Sequence, residues 1–198
     1  MRTAKGIDSV KKASNKQMRS NHIRFITMAA VIAALYAVLT MALWEISSAG
    51  IQFRLSEALC VLPAFTPAAI PGLALGCAIA NIFGGTWIDV VFGSLATLLA
   101  AVCTRLIARA LGVDASDKLS LAAKLLVPLP PVLLNAAIIP FVLYYGYGLT
   151  EAFGVSSRLA VLGLHALTVG AGEAVVCYLI GVPLMIAIHR IHRNGHIF

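Results

Sequence analysis

The chain has 198 residues, 60% of them hydrophobic and only 12% charged, with a mean hydropathy of +0.93. Soluble domains run at about 45–50% apolar and about 25% charged, so a soluble globule would lack the polar surface to cover itself. The net charge of +7 does not mark a nucleic-acid binder: seven of the fifteen Lys and Arg (Arg2, Lys5, Lys11, Lys12, Lys16, Arg19, Arg24) fall in the first 24 residues, and most of the others flank apolar runs, the positive-inside pattern of a membrane protein.

A spanning helix takes about 20 residues, so six take about 120 and leave no room for a sizeable soluble domain. The expectation is an all-α integral membrane protein of six transmembrane helices. Residues 23–193 form the bundle, between a basic cytoplasmic tail (1–22), disordered or lying on the surface, and a short tail (194–198). The first helix is expected over Ile23–Leu43. Its apolar core from Phe25 exceeds the usual 7–15 residues of a signal peptide, so it reads as retained despite a possible cleavage site at Ser47-Ser48-Ala49. A polar connection, 44–54, follows. Pro63, Pro67 and Pro71 then punctuate an apolar stretch, which predicts a short helix over 55–65 and another over 68–83. Gly84-Gly85 separates these from a fourth helix over 87–109, and a polar loop at 112–118 precedes a fifth over 121–145, with kinks at Pro128, Pro130-Pro131 and Pro140. The sixth, 158–189, exceeds one span and should tilt or protrude. An even number of spans puts the basic N terminus, the 105–124 region and Arg190/Arg193 on the cytoplasmic side.

Ala29, Ala33 and Ala37, with Ala30 and Ala34 beside them, form a small-residue stripe on the first helix. Helices associate in lipid through such close-packing faces, and the stripe serves either a partner protein or the chain's own bundle. Ionisable groups at depth are costly and usually face a cavity or a partner. Glu173, flanked by Gly170 and Gly172, is the clearest case; its plain alternative is a helix-bridging glutamate. Asn135 lies about 20 Å below Gly148 at 1.5 Å per residue, and Glu173 a similar distance below Arg158, so the two can meet at one depth. Asn81 and Asp89 close and open neighbouring helices and read as caps or ligands. His165 is about 80° around the axis from Glu173 and reads as a bundle hydrogen bonder. Arg54 and Glu57, at i and i+3, read as an interfacial ion pair. Trp44, Trp87, Tyr144, Tyr145 and Tyr147 read as an interfacial belt or a stacking lid.

No P-loop, nucleophile elbow or helical carboxylate pair is present, so an enzyme is not expected. Cys60, Cys77, Cys103 and Cys177 lack a CxxC pair and read as small buried hydrophobes, and His189 and His192 lack a wider ligand set, so no metal is expected.

Five separated runs, 51–59 (IQFRLSEAL), 65–73 (FTPAAIPGL), 80–85 (ANIFGG), 89–97 (DVVFGSLAT) and 172–178 (GEAVVCY), resemble the QueT family, substrate-binding S components of energy-coupling-factor (ECF) transporters assigned to queuosine precursors. The likeness covers roughly residues 24 to 190. It implies a six-helix fold in the cell membrane, and a coupling module of one transmembrane protein and two ABC-type ATPases that use the ATP, this chain binding no cofactor itself. The alanine face would dock on the coupling protein, and the subunit would topple in the bilayer to release its cargo. The implied substrate is a 7-deazaguanine base. Glu173, Asn135, Asn81 and Asp89 are candidate contacts, with Trp44 or Trp87 as a lid and Glu45 or Asp89 facing an aminomethyl cation. A stand-alone proton-coupled transporter and a non-transporting membrane scaffold are the alternatives.

Overall fold

The computed structural model describes residues 4–42, 54–113 and 115–195, the side chains of 4–13 and 195 excepted. Helix α1 runs over Ala4–Ala42. With no proline and a single glycine, Gly6, before residue 43, nothing interrupts it. The segment expected as a disordered or surface-lying tail is helical from Ala4, continuous with the helix expected from residue 23. Leu55–Ala64 (α2) is a 3₁₀ helix, eight of whose ten residues are buried. Arg105 donates to the carbonyls of Pro63 and Ala64 at 3.1 and 2.9 Å, satisfying the end of that helix. Helix α3 covers Ala69–Gly84 and α4 Trp87–Ala110.

The expected fifth helix is split. α5 covers Leu121–Leu126 and α6 Leu129–Phe141, continued by a π-helical turn at Val142–Gly146. Pro128, Pro130 and Pro131 supply no N–H to the preceding turn, and the helix breaks there. The last run comprises α7 (Arg158–Val176), a π turn at Cys177–Gly181 just ahead of Pro183, and α8 (Val182–Gly195). Its 37 apolar-rich residues over 158–194 extend about 55 Å, beyond the roughly 30 Å of hydrocarbon.

Among the described residues, four segments are long and apolar enough to cross a membrane: 14–42, 87–110, 121–146 and 158–194. α2 and α3 are apolar but shorter. Among the described residues there is no strand, only an isolated bridge between Ala152 and Val155. α3 packs between α1 and α4, and α6 between α4 and α7. α2 lies against α4 and the Cys177–Gly181 turn, its 3₁₀ backbone tolerable at depth because protein surrounds it. Leu75, Ile82, Leu106, Leu133, Leu167 and Leu179 are exposed, the surface that faces lipid.

α1 and α3 approach closely. A Cβ built on Gly72 would lie 2.8 Å from the Ala29 carbonyl oxygen, and one on Gly76 would lie 2.6 Å from that of Ala33. Ala29, Ala33 and Ala37 are accordingly buried within the protein. This corrects the reading of the whole alanine stripe as a partner face: α3 covers those three residues, and Ala30 and Ala34, about 100° further round the helix, are the ones left exposed.

Candidate functional site

An ionisable side chain at the centre of a bilayer costs about 2.5–3.5 kcal/mol on insertion scales, yet Arg54, Glu57, Asp89 and Glu173 are all buried. They come from different parts of the chain. Arg54 caps α2 in extended backbone (φ −84°, ψ 93°), Glu57 lies in the first turn of α2, Asp89 in the first turn of α4 and Glu173 in α7. α2, which Arg54 caps and Glu57 opens, packs against α4 and α7, the helices of Asp89 and Glu173, so the four gather where these elements meet. Of the three carboxylates, Asp89 is the one within ion-pair distance of Arg54 among the described residues.

Asn135 and Glu173 meet as their depths in the helices predict: Asn135 Nδ2 donates to Glu173 Oε1 at 3.0 Å. Small residues allow it, since a Cβ on Gly170 would lie 3.3 Å from the Cβ of Ala136, which brings α6 and α7 together. The other oxygen, Glu173 Oε2, is buried without a hydrogen-bond partner among the described residues.

Asp89 anchors the second half of the cluster. Its backbone N–H bonds the Thr86 hydroxyl at 3.3 Å, closing the helix start. Its Oδ2 lies 3.5 Å from Arg54 Nη2 and accepts from the Tyr147 hydroxyl at 3.2 Å, while Oδ1 has no partner among the described residues. Asn81 donates to the Asp89 carbonyl at 3.1 Å. Gly93 lets α4 pack closely here, because a Cβ on it would lie 2.9 Å from Asn81 Nδ2 and 3.1 Å from Asp89 Oδ1. Burial first, then the Asp89 carboxylate, pushes the Tyr147 phenol above its ordinary value; a phenol is a donor at neutral pH with or without that shift.

Glu57 and Arg54 depart from the expected ion pair. Arg54 turns to Asp89, while Glu57 is fully buried and accepts from the Tyr36 hydroxyl through Oε1 and from Cys60 Sγ, at 2.9 Å, through Oε2. The extended backbone at Arg54 takes it out of the helical register that an i, i+3 pair requires. Thr40 bonds Ser56 at 2.7 Å and so ties α1 to α2 beside this group. Arg54 and Glu57, expected only as an interfacial pair, and Tyr147, expected as belt or lid, thus join the buried polar group; Tyr36 is the member that sequence reasoning did not single out.

Trp87 is 75% exposed. It borders an apolar groove of about 550 Å³ with Phe92, Phe141 and Tyr145, and no member of the charged cluster lines that groove. The structure does not bring it to Glu173. Trp44 and Glu45 lie outside the described residues. His165 bonds the Leu149 carbonyl at 3.1 Å, as a bundle hydrogen bonder does. All four cysteines are free thiols, and no group of His, Cys, Asp and Glu suited to a metal occurs among the described residues.

Breaking a buried charged pair by removing one partner costs about 3–5 kcal/mol. Asp89→Asn should therefore lower the melting temperature of the purified protein, and adding Arg54→Met should restore much of the loss. Thermal denaturation of both variants checks this; a double variant no more stable than the single one would count against an Arg54–Asp89 pair.

The chain matches the QueT transporter family over residues 26–190. It is 40% identical over 84 residues to the queuosine precursor transporter QueT of Lactococcus lactis subsp. cremoris (strain MG1363), over 41% of this chain and 50% of that protein. The match thus spans about half the length of that relative. No solved structure matches. With four helices of spanning length and a family match over most of its residues, this multi-pass membrane protein belongs to the QueT transporter family.

Proposed function

We propose that the chain captures a queuosine precursor, a 7-deazaguanine base, in the buried cluster around Glu173 and Asp89 and carries it across the membrane. The observation that supports this most is the pair of buried, unpartnered acceptor atoms, Glu173 Oε2 and Asp89 Oδ1. Unsatisfied acceptors at depth are expensive, and a bound donor removes the cost. A guanine-like edge offers adjacent N–H donors and a carbonyl acceptor. In this reading Glu173 takes the donors, the Asn135 amide turns to the carbonyl, and Asp89 faces an aminomethyl ammonium group. Arg54 and Tyr147 hold Asp89 in place, and Asn81 fixes the backbone from which it projects. The relative's name supplies the substrate class. A thermal-shift screen against purines, deazapurines and unrelated vitamins tests it. A deazaguanine should stand out by raising the melting temperature through mass action, and no stabilisation by any deazapurine would overturn the reading.

The same reading makes the chain the S component of an ECF importer: six membrane passes counting α2 and α3, both termini cytoplasmic, ATP hydrolysed by partner subunits, and release by toppling in the bilayer. Its docking face would use Ala30 and Ala34, which remain exposed, beside Val31 and Val38. Ala34→Leu should then leave substrate affinity within about twofold, since it touches no group of the cluster, and reduce ATP-dependent uptake by at least about tenfold through loss of close helix approach. Uptake assays beside binding isotherms check this; unimpaired uptake would assign that face another role.

The buried carboxyl group of Glu173 within a span favours one rival reading, a proton-coupled carrier with Glu173 as the proton site. Uptake in cells lacking the ATPase subunits, collapsed by an uncoupler, would favour the rival.

A further inference from the structure

At the end of the bundle that carries the C terminus, α8 and the segment before α5 enclose a cleft of about 350 Å³, within the roughly 300–1,000 Å³ typical of small-ligand sites. An adjoining cleft of about 270 Å³ shares Asp117, His189 and Arg190 and extends to Arg193. The walls are pinned. Arg193 Nη1 lies 2.7 Å from Asp117 Oδ1 and also donates to the Asp117 carbonyl at 2.7 Å. His189 Nε2 bonds the Ser116 carbonyl at 3.1 Å and must be the donor there, since a carbonyl oxygen only accepts.

This pinning sets the charge of the depression. Asp117, the one carboxylate among the described lining residues, already faces Arg193. Lys118, Lys124 and Arg190 line the larger cleft, and none has an ion-pair partner among the described residues. Among the described lining residues, these four cations against one carboxylate leave a net charge of +3. The rest of the lining includes Leu119 and Ile186, so the cleft is cationic at its mouth and apolar along its wall. Leu121 and Leu125, 71% and 50% exposed, flank Lys124 on α5 and continue the apolar surface that faces lipid. Lysine suits such a boundary because its stem lies on apolar surface while its ammonium stays polar.

We infer that this cleft binds an anionic phospholipid, its phosphodiester held by Lys118, Lys124 and Arg190 and its acyl chains lying along Leu121 and Leu125. A basic depression at a membrane surface attracts an anionic headgroup. The net positive charge discriminates against a headgroup that carries its own quaternary ammonium. The site is independent of the Glu173 cluster and of any substrate assigned to it.

The test is thermal denaturation of the full chain in detergent with added phosphatidylglycerol, phosphatidylcholine of the same acyl chains, or inorganic phosphate. Phosphatidylglycerol should raise the melting temperature by about 3 °C or more by mass action, less so as salt is raised, and the other two should not. Lys118→Gln/Lys124→Gln/Arg190→Gln should remove at least half of that shift. Equal stabilisation by phosphatidylcholine, an equal shift with inorganic phosphate alone, or a full shift in the triple variant would overturn the inference. If the triple variant does not fold, Arg190→Gln, an exposed position, serves instead. Native mass spectrometry should then find less co-purified phosphatidylglycerol on it than on the wild type, and equal retention would overturn the inference.

Discussion

Glu173→Gln is expected to weaken binding of a 7-deazaguanine base by about 100-fold. A hydrogen bond to a charged group contributes about 1.5–3 kcal/mol, and about 2.7 kcal/mol corresponds to a hundredfold in affinity. Glutamine has nearly the same shape and can still accept from Asn135, which bonds only Oε1 in the wild type. It replaces the other acceptor, Oε2, with an amide that points donors at the ligand's donors. The variant should therefore fold and fail to bind. Isothermal titration beside a melting curve separates the two effects. Unchanged affinity in a folded variant would remove Glu173 from the site.

The second large effect is on assembly of the bundle. Gly76→Val should destabilise the protein by about 3 kcal/mol, the upper end of the usual overpacking range. The added Cβ would lie 2.6 Å from the Ala33 carbonyl oxygen and 2.8 Å from the Tyr36 Cβ. A backbone oxygen cannot swing aside as a flexible side chain does, so α1 must move away from α3. That movement also disturbs Tyr36, the donor to Glu57, so binding should fall with stability. Gly163→Ala is the control, because a Cβ there meets nothing within 4 Å. Melting temperatures and gel-filtration profiles in detergent should separate the two variants clearly; equal behaviour would show that α1 and α3 do not rely on this contact.

The legible parts of the fold are those governed by length and by helix-breaking residues. Prolines and glycines mark the ends of α3 and α4 and the break between α5 and α6. Rise per residue alone brings Asn135 level with Glu173. What stays hidden is rotation about each helix axis. In water, apolar residues point inward and polar ones outward, so a pattern reveals the buried face. In lipid both faces are apolar, and Ala29 cannot be told from Ala30 by its neighbours in sequence. The two differ only because Gly72 and Gly76 sit opposite one of them. Glu57 is hidden for a related reason. An α-helical reading places it near a membrane surface beside Arg54, whereas the 3₁₀ helix and the extended backbone at its cap turn it into the core. Trp87 shows the opposite failure: its position at a helix start suits a lid, but its side chain faces the apolar groove.

A cargo molecule is expected to satisfy the charged groups held inside this bundle. An experimental structure of the protein saturated with a 7-deazaguanine base tests it most directly. The ligand's ring N–H groups should lie about 2.7–3.2 Å from Glu173 Oε2, with Asp89 Oδ1 also newly engaged. A ligand seated elsewhere, with both oxygens still unpartnered, would contradict it.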